Sequence, residues 1–491
     1  MDSLLRERGL ISLPMLMLSY REIPLAFMIL SLEYLAPKKQ AFWCIDESGI
    51  RLHNGSDQCH YPSAEGESGC RAWHYDAPRT FTSEFDAVCD RKNLRVWAQS
   101  ALMAGTMLGN LIFSHFSDWF GRRTVIFFSN LIILCGGIAC TLASSFTEWI
   151  VLRVIVALEL GGNMNGPYTL GMESTGLRYR ALLAAGDCFG WIIGMMTLPI
   201  FPYFIQDWRQ LQIAISLTTL PMLIMVWFVH ESPRWLIATH RFEEAEMVIR
   251  EILSRQSTQK SDEEAKEIIR ECFEEHRETS KQPKASLVDL VKAPMRCLTT
   301  LSFCVQYPLY ILAYYNLLEM ILRVDNGGIF ANLLWAGVFE LPVALLVYLL
   351  VAKFRRRTLY FITNLPPFFC CLILFLYAEA GFMTTLTLAA LAKMGAQVGF
   401  AVLGVHVNEI YPTRVRGIAL GTGITLSRVG AIISPFAMNQ GWINENLLSA
   451  AAFVIALSLA MPLKETYGES LPEDFEDNLE AGRVRRRSGP V

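Results

Sequence analysis

HFSDWFGRRTVIF, residues 115–127, is the stretch on which the reading of this chain turns. An apolar run at 97–117 enters it and another at 124–146 leaves it. Each is the length of a bilayer-crossing helix, which needs about 20 apolar residues. Between them, Asp118, Gly121, Arg122 and Arg123 crowd into one short turn. Glycine permits a tight reversal, an aspartate accepts from a neighbouring helix end, and arginines collect on the inner side of a membrane. Two membrane helices joined by a short inner loop account for all of these features.

Working outward, similar runs occur at 10–36, 149–172, 181–205, 209–229, 297–322, 329–351, 358–379, 384–408, 417–439 and 442–463. Together they make twelve spans. The composition agrees: 53% of the 491 residues are hydrophobic and only 18% charged. A secretory signal peptide is not the reading of 10–36, which is too long and lacks a small-residue cleavage site. Arginines follow spans 2, 4, 8 and 10, and RVRRR (483–487) lies in the tail, whereas SSFTE (144–148) and AEAG (378–381) carry no Lys or Arg. This asymmetry places both termini in the cytosol. The fold class expected is an all-α membrane protein of twelve transmembrane helices in two six-helix bundles.

The resulting organisation is a cytosolic N-terminus and first helix (1–36), an outer loop (37–96), the rest of the first bundle (97–229), a charged cytosolic insertion (230–296), the second bundle (297–463) and a cytosolic tail (464–491). The outer loop holds Cys44, Cys59, Cys70 and Cys89, which in an oxidising compartment predict two disulfides with three possible pairings. Asn54 opens an Asn-Gly-Ser acceptor for glycosylation in the same loop. In the insertion, 241–253 and 261–275 show apolar residues at helical spacing on a charged background and read as amphipathic helices. Six spans on either side of it indicate an internal duplication.

MESTGLRYR (172–180) after span 4 and NEIYPTRVRG (408–417) after span 10 occupy matching places in the two halves. Each sets a carboxylate, Glu173 or Glu409, shortly before two arginines: Arg178 and Arg180, or Arg414 and Arg416. Anchoring at the inner surface explains the arginines alone; charge locks that break as the bundles rock explain the acids as well.

SEFDAVCD (83–90), DWFGRR (118–123), ESPRWL (231–236), NEIYPTRVRG (408–417) and LKETYGESLPE (463–473) stand in order along almost the whole chain. In this set the chain resembles the organic cation, organic anion and carnitine transporter family of the major facilitator superfamily. The resemblance implies a polyspecific plasma-membrane carrier of small organic ions working by alternating access. Through the same motifs it adds Glu231, Arg234 and Glu465 to the inner charge locks. The chain departs from the family in having Ser114 for a glycine in the first loop. In the second-half counterpart, LVAKFRRRTL (350–359), Ala352 stands for the aspartate and Arg355 for the glycine. That exchange weakens one expected lock.

Charges inside the spans cost roughly 2.5–3.5 kcal/mol each on insertion scales and face a partner or a task. Glu319 and Arg323 are four apart and read as a structural pair. Arg153 is placed to snorkel at the outer end of span 4, and Glu159, two turns deeper, has no evident partner. Arg21 and Glu22 point about 100° apart on a helix and so are not expected to satisfy one another, leaving Arg21 as a second lining cation or a partner of another helix. Lys393 and Asp187 are open in the same way, and His406 reads as a packed histidine. Arg428 in ITLSRVGAIISPF (424–436) lies ~15 Å from either end of its span at 1.5 Å per residue, too deep to snorkel. Gly421, Gly423, Gly430 and Ser434 on the same helix favour close packing. Glu340 is the available acid for a buried pair with Arg428. The alternative is a guanidinium fork awaiting a substrate carboxylate or sulfonate.

The resemblance bears on that choice: organic-anion and carnitine-type members carry arginine at the position matching Arg428, and cation-selective members an acid. It also implies aromatic substrate contacts at Tyr314, Tyr315 and Phe400, for which ordinary helix packing is the plain alternative. Ala344 stands where anion exchangers carry a second basic residue. The reading is a transporter of small organic anions, with the lipid bilayer as its solvent, no cofactor or metal, no nucleic acid and no enzymatic site. The driving ion is not legible. Its rivals are a carnitine-like zwitterion or organic cation transporter, and a non-transporting receptor acting through the outer loop.

Overall fold

The computed structural model describes residues 13–37, 42–45, 51–52, 59–63, 66–70, 72–75, 79–174, 177–254, 270, 287–292, 294–324, 328–377, 381–439 and 444–467. Its helices fall on the twelve expected runs. Spans 1 to 5 are Leu13–Leu30, Leu94–Phe120, Arg122–Ala139, Phe146–Ser174 and Leu177–Thr197. Span 6 is the pair Trp208–Leu217 and Leu220–Trp227, and span 7 is Pro294–Arg323. Span 8 is the pair Gly328–Glu340 and Val343–Lys353. Spans 9 to 12 are Arg356–Leu376, Phe382–Ile410, Thr413–Asn439 and Glu445–Ala460. Helices are the outcome because in lipid each backbone N–H and C=O must be satisfied within its own segment. The described residues form two compact units, one built on 11–171 and 186–230, the other mainly on residues after 230 together with 172–185.

In the first unit, spans 2 and 4 cross at glycines. A Cβ on Gly109 would stand 2.0 Å from the Leu158 carbonyl oxygen, and one on Gly161 2.4 Å from the Asn110 nitrogen. Only hydrogen at these positions lets the backbones meet. In the second unit, span 7 packs against spans 10, 11 and 12, and span 9 against spans 10 and 12. Gly423 and Gly430 press on Tyr307 and on the Pro308 carbonyl of span 7. Ser434 donates to Asn316 at 2.7 Å on the same face. Gly421 departs from the expected packing role, with nothing within 4 Å of its would-be Cβ.

The outer loop folds on a three-stranded antiparallel sheet, with β1 (Phe42–Ile45) central between β2 (Arg51–Leu52) and β5 (Ala72–Tyr75). A separate hairpin pairs β3 (His60–Ser63) with β4 (Gly66–Gly69). Of the three possible pairings the disulfides take Cys44–Cys70 and Cys59–Cys89. Asn54 lies outside the described residues. Below this module, Thr80 caps the turn Phe81–Glu84 through a capping box. Glu84 then gathers Trp208 Nε1 at 2.7 Å, Arg79 at 2.8 Å and Arg209. Burial alone would raise the Glu84 carboxyl, but donors from Arg209, Trp208 and Arg79 outweigh it and hold it below the usual carboxylate range. The stretch SEFD thereby fastens the loop's end to the start of span 6. In the insertion, Phe242–Ser254 is the expected amphipathic helix; 261–275 lies outside the described residues apart from Arg270.

The two inner loops solve one turn in different ways. Gly121, between spans 2 and 3, has φ 93° and ψ 155°, a region reserved almost wholly for glycine. Its counterpart Arg355 sits at φ −62° and ψ 148°, where any residue is at ease. The glycine is therefore dispensable in the second half. Gly121→Ala is expected to destabilise the protein by about 1–3 kcal/mol, and Arg355→Gly by under about 1 kcal/mol. Unfolding temperatures of the two variants in detergent check this, and equal losses would contradict it.

Candidate functional site

The inner ends of the two halves repeat each other down to single hydrogen bonds. Arg122 donates Nη1 to the Ser117 carbonyl at 3.2 Å, and Arg356 donates Nη1 to Val351, again five residues back, at 2.8 Å. Arg123 reaches the Val226 carbonyl at the end of span 6 at 3.1 Å, as Arg357 reaches Leu463 after span 12 at 3.3 Å. Asp118 holds Arg122 at 3.0 Å within its own turn.

In the second half the acid at that place is missing, and Glu409 takes over. Arg356 meets it as a fork, Nε to Oε2 at 2.7 Å and Nη2 to Oε1 at 2.5 Å. Thr466 donates to the same carboxylate at 2.6 Å. Glu465 accepts from the backbone N–H groups of Arg356 at 2.8 Å and Arg357 at 3.1 Å, capping the start of span 9 from outside the helix. Those bonds hold the Glu465 carboxyl below its ordinary range against the opposing effect of burial, which is the largest single influence. One expectation is corrected here. The loop with Ala352 and Arg355 still forms a lock, because Arg356 recruits an acid from span 10. Arg416 gives its Nε to the Tyr411 carbonyl at 3.2 Å.

Glu173 is half-buried at the end of span 4. The side chains of Arg178, Arg180, Arg234 and Arg414 lie outside the described residues. Glu231 accepts from the Ser232 N–H at 2.9 Å, and Ser232 caps the helix Pro233–Ala238. ESPRWL is thus a helix start.

The buried charges within the spans are largely paired. Glu340 is not Arg428's acid: its carboxylate binds Lys393 of span 10, both side chains being 1% exposed. Lys393 also stands 4.4 Å over the Tyr314 ring, so this expected substrate contact supports a buried ion pair. Tyr315 is half-buried against Tyr314, ring centres 5.4 Å apart. Phe400, also half-buried, meets Tyr307 edge to face at 5.2 Å. In the first unit Arg21 bridges Asp187 at 2.6 Å and Glu22 at 3.0 Å. The pairing with Glu22 corrects the helical-wheel argument, since a long guanidinium spans the angular gap between neighbours. Arg21, 3% exposed, is occupied by this network. Arg153 does not snorkel: it is 2% exposed and donates to the Met28 carbonyl at 2.7 Å and Ser31 Oγ at 2.8 Å. Arg323 joins Glu319 at 3.5 Å and also Glu445, a structural cluster as expected. His406 is bound by Tyr360 and the Lys464 carbonyl, each at 2.9 Å.

Arg428 is half-buried in mid-helix. Gly423, Ser427, Gly430 and Ser434 form the buried small face of span 11. At 100° per residue Arg428 points about 130° away from the mean of that face. No group of three or more His, Cys, Asp or Glu able to hold a metal occurs among the described residues.

Residues 63–464 match the family described as "Sugar (and other) transporter". Organic cation/carnitine transporter 2 of Homo sapiens is 28% identical over 90% of this chain and 80% of its own length. The organic cation transporter protein of Drosophila melanogaster is 27% identical over 92% and 83%, and solute carrier family 22 member 6 of Bos taurus 28% over 84% and 77%. Among solved structures, the inward-open xylose transporter XylE of E. coli superposes with a TM-score of 0.63 at 16% identity, covering 96% of this chain and 97% of that one. At that identity the likeness speaks to the fold.

Proposed function

Since the chain belongs to the Sugar (and other) transporter family of the major facilitator superfamily, we propose that it carries small organic anions across the plasma membrane by alternating access. Arg428 meets the carboxylate or sulfonate of the substrate. The observation that carries this reading is the placement of Arg428, a permanent cation half-buried in mid-span, whose Cα–Cβ direction leaves the helix away from the glycine face. A guanidinium fork recognises planar oxyanions in two-point fashion. Half-buried Tyr315 and Phe400 supply flat apolar surface for aromatic substrates. The Arg356–Glu409–Glu465 assembly ties spans 9, 10 and 12 at their cytosolic ends, so these helices move as one body during the cycle.

A zwitterion reading is favoured by one finding, the printed name of the human relative, an organic cation/carnitine transporter. It needs an acid to hold the cationic end of the substrate, and the engagement of Glu340 by Lys393 counts against it. The receptor reading rested on the departures in 350–359 and loses that support with the lock formed by Arg356. Uptake into expressing cells of a labelled aromatic carboxylate, a sulfate conjugate, carnitine and a quaternary amine separates these readings. The expected result is saturable uptake of the first two and background levels of the amine. Carnitine taken up in preference to both anions would replace the anion reading by the zwitterion one.

A further inference from the structure

Glu159 lies thirteen residues into span 4, near its middle, and is 7% exposed. Glu159, Gly162 and Asn163 share one helix face by their spacing of three and four. Against that face span 3 presents Ser129 and Asn130, both 0% exposed. Ser129 lies close enough to Glu159 to act on its carboxylate. Its Oγ also stands 2.7 Å from where a Cβ on Gly162 would be, with Phe113 of span 2 closing the other side at 2.8 Å.

The orientation of Asn130 is fixed by its donors. Its Nδ2 gives both hydrogens, to the Ile126 carbonyl at 2.8 Å and to Asn163 Oδ1 at 3.0 Å. Flipping the amide would set oxygen against two oxygens, so Oδ1 faces away as an acceptor. Ser129 hydrogen-bonds the Glu159 carboxylate and keeps oxygen lone pairs to offer, while two buried oxygens, Asn130 Oδ1 and Glu159 Oε2, lack a hydrogen-bond partner among the described residues. Cations nearby are occupied. Arg21 reaches the Asn163 carbonyl of the same helix at 3.1 Å but is balanced by Asp187 and Glu22, and Arg153 is bound by Met28 and Ser31.

We infer that Glu159, Ser129 and Asn130 form a binding site for a sodium ion within the first unit. Each orphaned oxygen would otherwise carry its full desolvation cost. A hard monovalent cation is shared by all three side chains and cancels the single carboxylate charge. One proton on Glu159 supplies only one donor. Divalent ions are disfavoured, since calcium takes 6–8 oxygen ligands at its sites, usually several of them carboxylates. The inference stands whatever the charge of the transported substrate.

The test is thermal unfolding of the full-length protein in detergent, with sodium chloride replacing choline chloride at constant ionic strength. A ligand that binds only the folded state raises Tm with concentration. Wild type is expected to gain a Tm increase that grows with sodium. In Glu159→Gln the increase disappears, and in Ser129→Ala about tenfold or more sodium is needed for the same rise. Should Glu159→Gln not yield folded protein, Ser129→Ala and Asn130→Ala carry the test. Identical Tm in both salts for wild type, or an unchanged sodium response in these variants, overturns the site. A Tm that follows pH alike in sodium and choline assigns Glu159 to a proton and overturns it equally.

Discussion

Arg428→Ala, compared at matched surface expression, is expected to lower uptake of an aromatic carboxylate by at least about 30-fold. Truncating one partner of a desolvated, hydrogen-bonded charge pair costs about 2–5 kcal/mol, and about 1.4 kcal/mol is a factor of ten. The lower bound corresponds to the half-buried state of the side chain. Arg428→Lys should fall between, since a lysine keeps the charge and loses the planar fork. Folding is not expected to suffer much, because the helix face that packs on span 7 is carried by Gly423, Gly430 and Ser434 instead. That separation gives the prediction its edge. If anion uptake survives Arg428→Ala within about threefold while surface expression collapses, the arginine is a structural residue and charge selection resides elsewhere.

Much of this molecule is legible in its sequence. All twelve apolar runs fall on helices among the described residues, spans 6 and 8 as broken pairs, because a bilayer leaves a polypeptide few other ways to satisfy its backbone. The four loop cysteines announced two disulfides, although their pairing is set by the fold, which brings the Cα atoms of Cys44 and Cys70 within 5.5 Å. Legibility failed for partners. Glu340 and Lys393 are 53 residues apart, Arg21 and Asp187 are 166 apart, and nothing in their local spacing connects them. Long flexible side chains compound the difficulty, as Arg21 shows by reaching Glu22 across the helix. The orphaned oxygens around Glu159 were beyond sequence for another reason. Only the donors of Asn130, placed by the fold, reveal which way its amide faces. One departure proved misleading: Arg355 replaces a glycine whose φ the second-half loop never needs, and the lock there is rebuilt from span 10.

That rebuilt lock yields the second large effect. Arg356→Ala would leave Glu409, 19% exposed at its side chain, next to Glu465 with no guanidinium between them. Breaking a largely buried pair from the basic side costs about 3–5 kcal/mol, because the remaining carboxylate is uncompensated. A cost of that size is a large part of the roughly 5–15 kcal/mol that holds a native protein together. Surface expression and unfolding temperature should both fall sharply. Glu409→Gln should be milder, since an amide oxygen still accepts from Thr466, bound to the carboxylate at 2.6 Å. The double variant Arg356→Met/Glu409→Met removes both charges and should recover much of the loss, as apolar replacement of buried ion pairs often does. In a cycle closed with the single variants Arg356→Met and Glu409→Met, a coupling energy of about 0.5–3 kcal/mol is the expected signature of residues that share one interaction. Strict additivity of the two single effects would show that Arg356 and Glu409 act independently. The inner end of this unit would then be held by the Glu465 cap on span 9 rather than by the fork.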